Sequence, residues 1–90
     1  MDDRLSKYTQ VLSLSLWINF NTKLHSICNF NGVNDSLIVS VKDKEEFLVQ
    51  EKIENISKKS IERIDLELKP IINQLIHLKQ TDEYHIEFGV

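Results

Sequence analysis

Residues His25-Ser26-Ile27-Cys28 place an imidazole three positions from the chain's one thiol, while His77 and His85 lie far along the sequence. Both kinds of side chain ligate metal when deprotonated. A structural zinc site, however, takes four donors, and no second cysteine or close histidine pair supplies the others. As a nucleophile and its base, the pair would need the imidazole within hydrogen-bond reach of the sulfur and a third group to orient it. The spacing demands neither arrangement, and the expectation is an inert, buried Cys28 and a surface His25.

The remaining polar clusters are equally plain. Glu45-Glu46 and Asp82-Glu83 are adjacent acids, but acid-base catalysis needs a cleft that shifts a pKa, and a chain of this size rarely encloses one without a second subunit. Gly32 and Gly89 are the chain's two glycines, so it lacks the glycine-rich loop whose amides cradle phosphate. Lys52, Lys59 and Arg63 would share a face if one helix ran through Ser60, giving a small basic stripe for nucleic-acid contact. Glu51, Glu54 and Glu62 are interspersed with them, and a solvated mixed face is the expectation. No catalytic residue, metal site or cofactor is assigned.

The elements that would position these groups are read from periodicity. In VLSLSLWINF, residues 11–20, Leu12, Leu14, Leu16, Ile18 and Phe20 alternate with Ser13, Ser15, Trp17 and Asn19, which predicts a strand. A competing signal is the run Leu5, Tyr8, Leu12, Leu16, Phe20 and Leu24, in steps of three or four, which suits a helix. On the strand reading the leucines face the core, and Trp17 is thrown to the opposite face beside Ser15 and Asn19, with Tyr8 of the N-terminal segment as neighbour. A lone exposed aromatic in polar surroundings is a common interface anchor. These four residues are the expected partner-binding surface.

Asn31-Gly32 signals a turn, predicting a hairpin with arms near 24–30 and 37–41. Asp43 followed by Glu46 has the form of a capping box, predicting a helix with Val49, Ile53 and Ile56 inward. Ile61, Ile64, Leu68, Ile71, Leu75 and Leu78 then alternate steps of three and four, an amphipathic helix stripe out of phase with the previous series. Pro70 falls off that stripe and predicts either a bent helix over 61–79 or two pieces, the second opening at Pro70. Tyr84, Ile86, Phe88 and Val90 alternate as a C-terminal strand. The resulting order is βββααβ: a single α+β domain over residues 1–90, with a small antiparallel or mixed sheet of about four strands covered on one face by two helices or one kinked helix.

Composition narrows the function classes. Ninety residues, 41% hydrophobic and 28% charged, suit one folded domain with a modest core. The net charge of -3 offers no field for phosphate and argues against general nucleic-acid binding. A lone cysteine fits a reducing compartment; the acidic start and serine-broken apolar run argue against an export signal, and no run suffices for membrane insertion. The expectation is a cytoplasmic, non-catalytic interaction module, a regulator, inhibitor, adaptor or immunity-type protein that binds a larger protein, as a homodimer. No predicted strand carries a proline to block edge pairing, so self-association or strand addition by a partner is expected. The alternatives are a nucleic-acid-associated regulator using the basic stripe, and a minor enzyme whose site forms between subunits around His25 and Cys28.

Overall fold

Residues 3–86 are described by the computed structural model. Helix α1, Asp3–Asn21, occupies the segment whose alternation predicts a strand. Its buried side chains are Val11, Ser15 and Ile18, at steps of four and three, with Tyr8 half-buried one turn earlier. The alternating leucines had invited the wrong period because the helix is apolar on more than its core side. Leu5, Leu12, Leu16 and Phe20 fall on a neighbouring flank and are exposed. The stretch also lacks the β-branched density that favours strands, and leucine is a good helix former.

The predicted hairpin is present. Strand β1, His25–Asn31, pairs antiparallel with β2, Ser36–Asp43, from His25 opposite Lys42 to Asn31 opposite Ser36. In the loop, Asn31 Oδ1 accepts from the amides of Val33 at 3.0 Å and Asn34 at 3.2 Å, the local bonding that suits Asn to turns.

The helix expected after Asp43 is instead strand β3, Glu46–Glu54, antiparallel to β2. Asp43 and Glu46 face each other across a two-residue turn at Lys44-Glu45 rather than capping a helix, and Lys44 adopts a positive φ of 56° there. Val49 and Ile53 are both buried, as expected. A separation of four, though, places residues on one side of a strand as well as of a helix, and Glu51 shares that face. Ile56, buried in a short 3-10 turn, closes the segment.

Helix α2, Ile61–Gln80, is continuous and buries Ile64, Leu68, Ile71, Leu75 and Leu78, the stripe read from the sequence. Ser60 caps it, its side chain accepting from the Arg63 amide at 3.2 Å, which satisfies one of the orphan donors of a helix start. Pro70 lies inside α2 on the exposed side, so the two-piece alternative does not apply.

Of the expected C-terminal strand, the described residues show one bridge. After a 3-10 turn at Asp82–Tyr84, His85 forms an isolated bridge with Thr22. The Lys23 amide donates to the Tyr84 carbonyl at 2.9 Å and the Ile86 amide to that of Asn21 at 3.0 Å. Phe88 and Val90 lie outside the described residues. Among the described residues the architecture is therefore α+β with order αβββα: a three-stranded antiparallel sheet, β1-β2-β3, with α1 and α2 packed side by side on one face. Leu37, Val39, Val41, Val49 and Ile53 face the helices and are buried, while Ile38, on the other face, is partly exposed.

Candidate functional site: the α1 flank and the β1 edge

The four residues expected to form one polar-rimmed aromatic surface are separated by the helical geometry. Ser15, Asn19 and Tyr8 lie along the side of α1 that meets β1, and Trp17 lies on the side that meets the end of α2. Ser15 is buried and its hydroxyl bonds that of Ser26. The Tyr8 hydroxyl donates to the Ile56 carbonyl at 3.2 Å. Trp17 is half-buried: the Lys79 ammonium sits 4.9 Å from its ring centroid, and the His85 ring meets it edge-on at 5.6 Å. The orientation argument for an exposed indole anchor does not survive.

Asn19 does something else. Its Nδ2 donates to the Ser26 carbonyl at 2.8 Å, and its Oδ1 accepts from the Ser26 amide at 2.7 Å. A side-chain amide thus takes the place that a neighbouring strand would hold. Both backbone groups of one residue point to the same side of an antiparallel strand, and the side alternates along the chain. With Ser26 turned away from β2, Cys28 and Phe30 are turned away as well. Among the described residues, nothing meets their outward backbone groups.

Above that edge runs the exposed flank of α1, carrying Leu5, Leu12, Leu16 and Phe20. From Tyr8 to its end at Asn21 the helix contains no charged residue. A solvent-facing helix side ordinarily carries charge, and depletion of charge is the compositional mark of an interface centre. Beside it, Leu5, Tyr8, Leu12, Phe30, Leu37 and Ile56 line an apolar groove of about 270 Å³. Phe30, on β1, is 61% exposed at its mouth.

The opposite edge of the sheet is protected. Strand β3 carries Glu46, Glu51, Lys52 and Glu54, and a register shift interrupts its pairing with β2 between Val41 and Lys42. Edge charges and bulges are the usual devices against unwanted strand pairing. Strand β1, HSICNFN, has neither a lysine nor a proline.

Lys52, Lys59 and Arg63 do line one groove, of about 650 Å³, between β3 and α2, although no continuous helix joins them. Glu51, Glu54 and Glu67 line it too, so the charges balance. Lys52 pairs with Glu54 at 3.5 Å, Arg63 with Glu67 at 3.3 Å, and Lys59 with Glu67. The Lys59 hydrogen bond is the main cause that holds the Glu67 carboxyl below its ordinary range, with the charges of Lys59 and Arg63 adding to it against partial desolvation. A depressed carboxylate contributes stability that is complete above its unfolded pKa, about 4.5 for glutamate, and is lost as the pH falls through the folded value. Glu67→Gln is accordingly expected to flatten the loss of stability below about pH 4.5, measured by urea denaturation across that range.

His25 and Cys28 are an odd number of residues apart in a strand and face opposite sides of the sheet. His25 is exposed, Cys28 is half-buried against the core, and that burial pushes the thiol's pKa up, the reverse of an activated nucleophile. Among the described residues, no three His, Cys, Asp or Glu side chains gather as a metal site, and no helix is long and apolar enough to cross a membrane.

An open strand edge and Tyr8 are both among the sequence expectations, and Tyr8 lines the groove; the exposed α1 flank is what the alternation reading hides, although its signal is present. The charge-free run and the Leu5, Leu12, Leu16, Phe20 series are both visible in the sequence, but the strand reading turns Leu12, Leu16 and Phe20 to the core. The chain matches no known family model, and no curated protein or solved structure resembles it at a significant level.

Proposed function

We propose that this chain is a non-catalytic protein-interaction module whose contact surface is the outer flank of α1 together with the open edge of β1. One observation carries the reading: a helix flank that exposes Leu5, Leu12, Leu16 and Phe20 without a charged residue between Tyr8 and Thr22. Burial of such a flank is worth roughly 25 cal/mol per Å² of apolar surface removed from water. The adjoining strand edge adds directional hydrogen bonds, as in recognition by strand addition. The nucleic-acid alternative has no comparable support, since the basic side chains it needs are paired with glutamates.

A photo-crosslinking amino acid placed in the living cell tests the surface. At Leu16 it is expected to yield a protein-protein adduct. At Gln50, on the helix-free face of the sheet, and at Leu66, on the solvent side of α2, it is expected to yield none. Adducts from Gln50 or Leu66 but not from Leu16 would move the contact elsewhere and overturn the reading.

A further inference from the structure

Building on that reading, we infer that the occupant of this surface is a second copy of the chain, joined about a two-fold axis at Asn29 by antiparallel β1-β1 pairing, so that two three-stranded sheets become one of six.

The register follows from which edge positions are open. Ser26 is occupied by Asn19, and among the described residues nothing bonds the outward backbone groups of Cys28 and Phe30, which an antiparallel partner strand can take. Setting Cys28 against the partner's Phe30, and Phe30 against the partner's Cys28, uses both positions and leaves the Asn19-Ser26 bonds intact. The alternative that sets Cys28 against its own counterpart brings the partner's Phe30 onto Ser26, where the Asn19 amide already sits. The axis therefore passes through Asn29, whose own backbone groups turn inward to β2.

The helix flanks match in the same arrangement. Asn19 lies at Ser26, three strand residues or about 10 Å from the axis. Leu12 is seven helical residues back, again about 10 Å, which places it over the axis. Leu5 and Phe20 then lie at similar distances, about 10 to 12 Å, on either side. A two-fold rotation carries Phe20 of one copy to the Leu5 end of the partner's groove, and the reverse. Phe20 is the most exposed apolar side chain of α1, at 69%, and the groove is apolar with room for a phenyl ring. One surface thus bears both a projection and the recess that receives it, the self-complementarity an isologous interface requires.

Charge and area agree. The flanks meet without like-charge repulsion, and antiparallel helices set their dipoles head to tail. At roughly 150 to 200 Å² for a side chain of this size, the exposed parts of Leu5, Leu12, Leu16, Phe20 and Phe30 amount to about 400 to 550 Å² per copy. Two copies give about 800 to 1,100 Å², and the strand edges add to this, which brings the contact to the ~1,000 Å² of a specific interface.

Sedimentation equilibrium of the purified chain at tens of micromolar is expected to return twice the 10.6 kDa chain mass. Phe20→Asp should reduce it to one chain with an unchanged circular dichroism spectrum, because that side chain contributes little to the folded monomer. The register is read separately. In a Cys28→Ser background, Asn29→Cys places two thiols at a non-hydrogen-bonded pair, with Cα atoms about 4.5 Å apart and inside the disulfide range. Diamide is expected to lock it as a covalent dimer, while Phe30→Cys in the same background, diagonal across the axis, stays reduced. A dimer indifferent to Phe20→Asp, or one that Asn29→Cys fails to lock, overturns the inference. A single-chain mass for the wild type does so too. If Leu16 still crosslinks to a different protein in the cell, that mass leaves the interaction surface standing and removes only the second copy.

Discussion

Leu68→Ala is expected to lower the unfolding free energy by about 3 to 4 kcal/mol, and Leu66→Ala, two residues away, by no more than about 0.5 kcal/mol. Leu68 is fully buried on the stripe that α2 turns to the core, while Leu66 is 65% exposed. Removal of the buried side chain forfeits its transfer free energy and leaves a cavity whose walls, on a packed helix, collapse only in part. A chain of ninety residues has roughly 5 to 13 kcal/mol in total, so this one truncation consumes a large fraction of it. Urea denaturation followed by far-UV circular dichroism, at one fixed protein concentration so that any association contributes equally, gives both values. Similar losses for the two variants would mean that α2 is rotated about its axis relative to the arrangement described here.

The contrast between those two leucines also explains why α2 was legible in the sequence. Its apolar series contains steps of three and four only, which no strand period reproduces, and Glu62, Arg63, Asp65 and Lys69 mark the exposed side of its first half, so the core side stands out. Pro70 did not disturb it. Pro70 lacks the N–H that would bond the Leu66 carbonyl, and its ring crowds that carbonyl; Pro70 and Leu66 both lie on the exposed side, where water can satisfy the freed group.

Helix α1 was illegible for the opposite reason. Polar Ser15 lies on its core side, where its hydroxyl is satisfied by Ser26, and leucines lie on its outer flank. Binary patterning assumes that apolar residues face the core of the same chain. When a second apolar flank is present, the superposition of two helical stripes produces apparent alternation. The misreading of α1 and the functional surface therefore have one cause. Strand β3 failed differently: Val49 and Ile53 satisfy both periods, and the Asp43-Glu46 pair mimicked a cap. As a strand the segment pairs its backbone with β2 while keeping Val49 and Ile53 buried on the helix side of the sheet.

Trp17→Ala carries the second large effect and distinguishes the two sides of α1. The indole is held between the Lys79 ammonium and the His85 ring, and His85 bridges Thr22 while its Nε2 donates to the Lys79 carbonyl at 2.6 Å. Residues 81–86 thereby fasten the end of α2 to the end of α1. Truncating a half-buried aromatic and losing a cation-π contact is expected to cost about 2 kcal/mol. The loss should be local before it is global: the amides of Lys23 and Ile86, which bond Tyr84 and Asn21, are expected to lose hydrogen-exchange protection ahead of those in β2. Because Trp17 lies on the side of α1 away from β1, the sedimentation mass should not change, whereas Phe20→Asp should alter the mass and leave those amides protected. The reverse pattern, with Trp17→Ala dissociating the protein and exchange at Lys23 and Ile86 untouched, would assign the indole to the contact surface and make the outer leucines bystanders.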